Sequence, residues 1–253
     1  MNAAGAIPRS TRPLQRFLPA LLWLAALVAV ALLLPALESL FRVIEPERRV
    51  VIYPRDSFPG LLWNHILIVG IAAVMAIVLG VGAAIVVTRH WGREFMPLVS
   101  QLASIGQTFP PVAVLALAVP ALGYGAEAVV VALLLYGLLP IVRNTLAGLQ
   151  GVDRGVLESA RGMGMSPLQT LLQVELPIAA PVILAGIRTS VTINIATAAI
   201  GSTIGANTLG DPIISGIVNS NNAFILQGAI LIGLLAVTVD SALSRLLPQR
   251  TQR

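Results

Sequence analysis

Long uncharged stretches, separated by short clusters of arginine and proline, set the pattern of this chain. The first, residues 17–37, reads FLPALLWLAALVAVALLLPAL and is long enough to cross a bilayer, which needs ~20 apolar residues. It outruns the short apolar region of a cleaved leader and keeps bulky residues throughout, so it predicts a retained helix. Residues 38–60 are polar, hold Pro46, Pro54 and Pro59, and predict an external loop. A second span covers 61–88 and stops at Arg89, His90, Trp91, Gly92 and Arg93. Residues 95–126 carry no charge and predict a third span with a turn at Gly123-Tyr124-Gly125. Pro110-Pro111 should break or kink it, because proline lacks the N–H donor and clashes with the preceding turn. A fourth span covers 127–146, with Pro140 near its end.

Residues 150–175 differ in kind: they are amphipathic, glycine-rich and polar enough to sit outside lipid. A fifth span starts near Pro177 and runs to about Gly201, followed by the Gly/Asn-rich segment GSTIGANTLGDP. A sixth covers 223–243, and the tail after it carries Arg245, Arg250 and Arg253.

Composition agrees with lipid as the solvent. Hydrophobic residues make up 57% of the chain and charged residues 11%, and the mean hydropathy is +0.89. A soluble domain carries roughly 25% charged residues. Cysteine is absent, which excludes disulfides, thiolate metal sites and a thiol nucleophile. With only His65 and His90, no metal centre and no cofactor site is expected. The sixteen basic residues are all arginine. A pI near 10.9 then reflects charge retained on the cytoplasmic side of a membrane, not a nucleic-acid partner. Arg42, Arg48, Arg49 and Arg55 fall in the first external loop and Arg188 inside a span. The remaining arginines, Arg9 and Arg12 among them, fall on the side of the termini. The positive-inside rule therefore places both termini in the cytoplasm. Trp23, Trp63 and Trp91 lie near span ends, where indole favours the interface.

The loop between spans four and five holds the most specific pattern, LESARGMGMSPLQTLLQVELPIAAP over residues 157–181. Glu158-Ser159-Ala160, then Gly164, Val174 and Leu176-Pro177 resemble the Glu-Ala-Ala signature of the permease subunits of bacterial ABC importers. Ser159 and Val174 depart from that pattern by small changes of similar shape. The resemblance extends over roughly 61–247. Thr108-Phe109-Pro110-Pro111, the tract 139–145 (LPIVRNT), Arg161-Gly162-Met163-Gly164-Met165 and Ala185-Gly186-Ile187-Arg188-Thr189 resemble the osmoprotectant branch, the glycine betaine, carnitine and choline permeases. Asn207-Thr208 stands where that branch is expected to carry a Gly-Gly pair, and residues 1–60 fit the resemblance least.

The resemblance implies an all-α integral membrane protein of about six transmembrane helices in the type I importer permease fold. It would comprise an N-terminal part (1–60), a permease domain (61–247) and a tail (248–253). Residues 150–176 would form the coupling loop to a separate ATP-binding subunit, through Glu158, Ser159, Ala160, Gly164, Met165, Leu176 and Pro177. A periplasmic or lipid-anchored solute-binding protein, and a second or paralogous permease copy, are the other implied partners, in the inner membrane. Read from the residues, Met163 and Met165 offer adaptable apolar contact, and Ala160 and Gly164 keep a docking surface low. Ser166-Pro167 fits a helix start. No phosphate-binding Gly-rich Lys loop exists here, so ATP chemistry belongs to the partner and the chain is a transport subunit, not an enzyme.

Within the spans, Arg188 is a candidate pathway or gate residue because an intramembrane cation is costly to desolvate. The bland alternative is a side chain that snorkels or pairs with Glu175. Thr192, Asn194 and Thr197 make the fifth span polar, either to line a wet pathway or to bond across packed helices. Glu127, Asp240 and His65 read as interfacial residues. An ion-coupled transporter would leave the loop unexplained, and an intramembrane enzyme would lack its nucleophile and base.

Overall fold

The computed structural model describes residues 13–246, with side chains from Arg16 onward. Arg9, Arg12, Arg250, Arg253 and the segment 248–253 lie outside the described residues. Among these, every regular element is helical.

The first uncharged run forms α1 (Pro13–Leu33) and a short 3-10 turn (Leu34–Leu37), and then continues as α2 (Glu38–Ile44). The expected loop at 38–60 is thus helical for its first third. Glu38 and Arg42 sit one turn apart there and pair, which supports the added turn. The second span is α3 (Phe58–Thr88), capped by the Ser57 hydroxyl on the Gly60 N–H.

The third is broken, as Pro110-Pro111 requires. Helices α4 (Met96–Thr108) and α5 (Pro111–Leu122) meet at 100°. The exposed backbone at the break is satisfied from α6 (Ala126–Gln150): the Tyr136 hydroxyl donates to the Phe109 carbonyl. In return, Gln107 Nε2 donates to the Tyr136 carbonyl at 2.8 Å. Close approach is permitted by Gly106, where a Cβ would stand 2.3 Å from the Leu135 carbonyl oxygen.

After α6 come α7 (Arg154–Gly162), the single turn α8 (Pro167–Thr170), a wide π turn (Leu171–Glu175) and α9 (Leu176–Thr197). A 3-10 segment (Ala198–Ile204), α10 (Gly210–Val218) and α11 (Asn222–Ser244) complete the chain. The end of the Gly/Asn-rich segment and the residues after it, for which the sequence offered no element, fold as α10 with Asp211 in its first turn.

The bundle is built on α3, α6 and α9, with α11 against α9 and α1 against α11. Its main core joins Leu27, Leu61, Leu133, Ile195 and Leu231. Much of the outward surface is apolar, including Leu22, Trp63 and Val78, as lipid contact requires. Five helices are long and apolar enough to cross a membrane, and the bent pair makes a sixth if it counts as one span. Connectivity says that it does. Residues at the start of α4 share a cavity with Gln150 and Glu175, whereas Ala126, which follows α5, lies with Asn64, Gly205 and Asn207 at the other end.

Residues 45–57 form an outer strap stapled to the α10–α11 turn. Arg48 donates to the Ser220 carbonyl at 2.8 Å and Asn221 Nδ2 to the Val50 carbonyl at 3.0 Å. The fully buried Gln227 amide accepts from the Tyr53 N–H at 3.0 Å and donates to the Val51 carbonyl at 2.6 Å. The strap and the α10–α11 turn therefore share one end of the bundle. The start of α1, the 150–175 segment and the end of α11 share the other.

Candidate functional site

The 150–175 segment is a folded unit whose local chemistry explains its sequence. Asp153 caps α7, its carboxylate accepting from the Gly155 N–H at 2.7 Å and from the Val156 N–H. The helix ends in a left-handed turn at Gly164, φ +78°. The Gly164 N–H bonds the Arg161 carbonyl at 2.9 Å and the Met165 N–H the Ala160 carbonyl at 3.2 Å. A side chain there would be strained, which gives the signature glycine its physical reason. Ser166 then starts α8 in a reciprocal capping box with Gln169, with Pro167 in the first turn, as expected.

Glu158, Ser159 and Pro167 are exposed, and Met163 keeps 74% of its surface free. Ala160 is different. It was expected to keep a docking surface low, but it faces inward and is 1% exposed. Its small size serves packing of α7 on the chain's own helices. Met165 and Leu176 are half-buried and Pro177 is exposed. Pro177 cannot donate to the carbonyl four residues back, and the wide turn immediately before it accommodates that lost bond.

Glu175, buried at the end of this turn, is gripped by Arg89 at the end of α3; Nη1 donates to Oε1 at 3.0 Å and Nη2 to Oε2. The alternative pairing of Glu175 with Arg188 is therefore excluded. Arg188 instead forms a two-pronged bond with Asp240 of α11, with Nη2 to Oδ2 at 2.7 Å. Both side chains stay more than a third exposed. Asp240 is thus a partner of Arg188 and not merely an interfacial acid.

The other candidates of the fifth span separate. Asn194 is fully buried and donates to the Leu133 carbonyl at 3.0 Å, tying α9 to α6 across Gly137. Thr197 bonds back to the Ile193 carbonyl at 2.9 Å within its own helix, and Thr192 is half-buried. His65 was expected at the interface, but is fully buried, with Nε2 3.0 Å from the Ile195 carbonyl oxygen. Hydropathy along one helix does not reveal which face meets a neighbour.

At the strap end, a cavity of about 270 Å³ is lined by Tyr53, Arg55, Asn207, Asp211 and Asn219 among others. Burial pushes the Asp211 carboxyl above its ordinary value, against the opposing hydrogen bonds from Ser202 and Thr208. Asn207, at φ +25°, makes the turn that a glycine was expected to make. The Thr208 hydroxyl is buried and lies 2.9 Å from that of Ser202. The Asn-Thr departure thus locks the junction between the 3-10 segment and α10.

Six crossings, one of them broken, and a folded amphipathic segment projecting between the fourth and fifth define a multi-pass membrane permease. Residues 76–253 match the family described as binding-protein-dependent transport system inner membrane component, and the chain belongs to that family. It is 39% identical to the choline transport system permease protein OpuBB of Bacillus subtilis, over 76% of this chain and 89% of that one. It is 41% identical to the osmoprotectant import permease protein OsmY of Salmonella typhimurium, over 72% and 77%. With the carnitine transport permease protein OpuCB of Listeria monocytogenes it shares 41% over 73% and 84%. An inward-facing structure of the MetNI methionine ABC transporter superposes with a TM-score of 0.67, covering 77% of this chain and 98% of that one. Sequence identity there is 21%, so that likeness concerns the fold. The chain is a transport permease of the inner membrane. Helix α1 and the strap precede the matched residues.

Proposed function

We propose that this permease carries a small osmoprotectant of the quaternary-ammonium kind, such as glycine betaine, carnitine or choline, in an ATP-driven importer. The observation that carries the solute class is the shared identity of 39–41%, over more than 70% of the chain, with permeases named for those solutes. A separate ATP-binding subunit docks on the exposed face of 150–176, with Glu158, Ser159 and Met163 outward and Ala160 and Gly164 shaping the segment from within. A solute-binding protein delivers from the strap side, and a second permease copy completes the pathway. Both termini are cytoplasmic, by the arginine asymmetry. Domain limits of 61–247 for the permease proper are part of this reading, with 13–60 packed onto it as an accessory.

Transport is alternating access, driven by the different affinities of ATP for two states of the assembly. The exposed Arg188–Asp240 pair lies on α9 and α11 and is assigned to the moving pathway wall, because an ion pair left partly open within a span needs water or protein, not lipid, beside it. Asn194 is assigned to packing between α6 and α9.

Uptake of labelled glycine betaine tests this in cells lacking their own osmolyte importers, with the neighbouring ATPase and binding protein co-expressed. Uptake that disappears with Glu158→Arg, while the permease still inserts, supports the class and the docking role. No uptake of betaine, carnitine or choline by the intact system would remove the solute assignment.

A further inference from the structure

Beside the coupling segment, between the ends of α3 and α6 and the side of α7 that carries Arg154, Leu157 and Arg161, lies a cavity of about 810 Å³. Arg89, Arg93, Arg154 and Arg161 line it, against one acid, Glu175. Four guanidiniums less one carboxylate leave three positive charges uncompensated. Arg89 already engages both Glu175 oxygens. Arg93, Arg154 and Arg161 have no ion pair among the described residues. The nearby Asp153 carboxylate is occupied in capping α7, and neither Glu94 nor Glu158 lines the cavity.

Like charges gathered in a concave site repel one another, and an anion bound there removes that cost. The remaining walls say what kind of anion. Met96, Leu149, Val152 and Leu157 give the cavity an apolar side. Trp91, also in the lining, is 71% exposed at the end of a span, where indole marks the headgroup level. Phe95 and Leu98, on either side of Met96, are exposed as well. An inorganic phosphate would satisfy the guanidiniums but leave the half-buried Met96 and Leu157 and the exposed Trp91 uncovered. An acidic side chain of a docked protein would answer the guanidiniums but leave Trp91, Phe95 and Leu98, exposed at the end of α3 and the start of α4, uncovered, whereas a lipid covers both.

We propose that this cavity holds the headgroup of an anionic phospholipid. Its phosphate is bound by Arg93, Arg154 and Arg161, and its glycerol and upper chain segments lie on Trp91, Met96 and Leu157. Arginine suits the role, since its planar fork bonds phosphate oxygens in pairs. The lipid then fills the space between the coupling segment and the membrane-spanning helices, bracing α7 from that side.

The test uses the permease purified with its ATPase and exchanged into mixed micelles of phosphatidylcholine and phosphatidylglycerol, with co-purifying lipid quantified by mass spectrometry. The native protein is expected to retain phosphatidylglycerol preferentially. Arg93→Gln with Arg161→Gln is expected to lower that retention about tenfold, since each arginine near an anionic headgroup contributes appreciably. Arg93→Lys with Arg161→Lys, which keeps the charges, should retain part of the lipid and shows that the fold survives. Arg245→Gln, at the same end of the bundle but outside the cavity, should retain all of it. Equal retention of both lipids, an unchanged double glutamine variant, or an equal loss in Arg245→Gln would each overturn the proposal. Displacement of phosphatidylglycerol by equimolar inorganic phosphate would make the ligand a free anion instead. Loss of the ATPase from the double glutamine variant with lipid retention unchanged would make the cavity a protein contact.

Discussion

Removing Arg89 while leaving Glu175 in place tests how the coupling segment is anchored. The Glu175 side chain keeps 10% of its surface exposed and that of Arg89 24%. One guanidinium engages both carboxylate oxygens. Deleting one member of a fully buried pair costs ~3–5 kcal/mol, because the other charge is stranded. The pair here is partly wet, so Arg89→Ala is expected to cost about 2–3 kcal/mol. Glu175→Gln alone should cost less, about 1–2 kcal/mol, since the freed guanidinium is the more exposed partner and its long stem reaches water. The double variant strands no charge and should lie within ~1 kcal/mol of the native protein. The two single costs together exceed that of the double variant by roughly 2–5 kcal/mol, which is the coupling the cycle should return. Reversible unfolding in mixed detergent micelles, followed by tryptophan fluorescence, measures all four proteins. An additive double variant, or an Arg89→Ala cost below ~0.5 kcal/mol, would show that the bond seen here anchors nothing. In the assembled transporter, Arg89→Ala should let ATP hydrolysis continue while uptake falls, because the segment has lost its tie to α3.

Arg188→Ala and Asp240→Asn should each leave insertion intact and cut uptake, and the exchanged pair Arg188→Asp with Asp240→Arg should restore part of it; normal uptake by either single variant would remove Arg188 from the pathway. Gly106→Ala should destabilise the α4–α6 contact by ~1–3 kcal/mol, since its Cβ would collide with the Leu135 backbone at 2.3 Å. Gly82→Ala, in α3 with nothing within 4 Å, should stabilise by up to about 1 kcal/mol; unfolding midpoints of the two glycine variants compare them directly. Burial raises the Asp211 carboxyl above its ordinary 3.8, so the folded state binds its proton more tightly than the unfolded chain does. The resulting penalty is absent below that ordinary value, grows as pH rises through the window between the two values, and is complete above it. Asp211→Asn should therefore raise the melting temperature near neutral pH and have little effect near pH 4; a gain independent of pH would refute the account.

The sequence makes the spans legible because an uncharged run of bilayer length has few other uses. Pro110-Pro111 marks the break between α4 and α5, and Gly164 and Ser166 mark the turn and start within the coupling segment, since each acts on its own backbone. Helix α2 was hidden by polar residues that pair within it, Glu38 with Arg42. Helix α10 was hidden by the glycines and asparagine before it. Asp211 and Pro212 at its start were a usable sign, as both favour a first helical turn. Contacts between distant segments were not legible. Arg188 and Asp240 lie 52 positions apart, and Gln227 reaches a strap more than 170 positions away. Periodicity is equally silent about His65 and Ala160. Each lies on a helix whose buried face is chosen by its neighbours, so a polar residue can be core and a small one can face inward.

These contacts also order the path by which a push on the coupling segment reaches the bundle. Ala160 seats α7 against the helices, and Gly164 turns the chain so that α8 and the wide turn run directly into α9. Glu175, at the end of that turn, is held by α3 through Arg89. A displacement of the segment is therefore shared between α3 and α9 at one point. Farther along α9, the Arg188–Asp240 bond carries motion to α11, and Asn194 carries it to α6. Helix α11 is in turn stapled by Gln227 to the strap at the opposite end. Charged links occur at both ends, Arg89–Glu175 and Arg188–Asp240 toward the coupling end and Arg48 on the Ser220 carbonyl at the strap, but the strap also rests on Gln227, which is neutral and fully buried. The Arg188–Asp240 pair, more than a third exposed on both sides, can break and re-form at modest cost, whereas stranding the buried Gln227 amide costs its full desolvation. The Arg188–Asp240 contact between α9 and α11 is thus the link built to rearrange, while Gln227 ties the strap to α11 as one body.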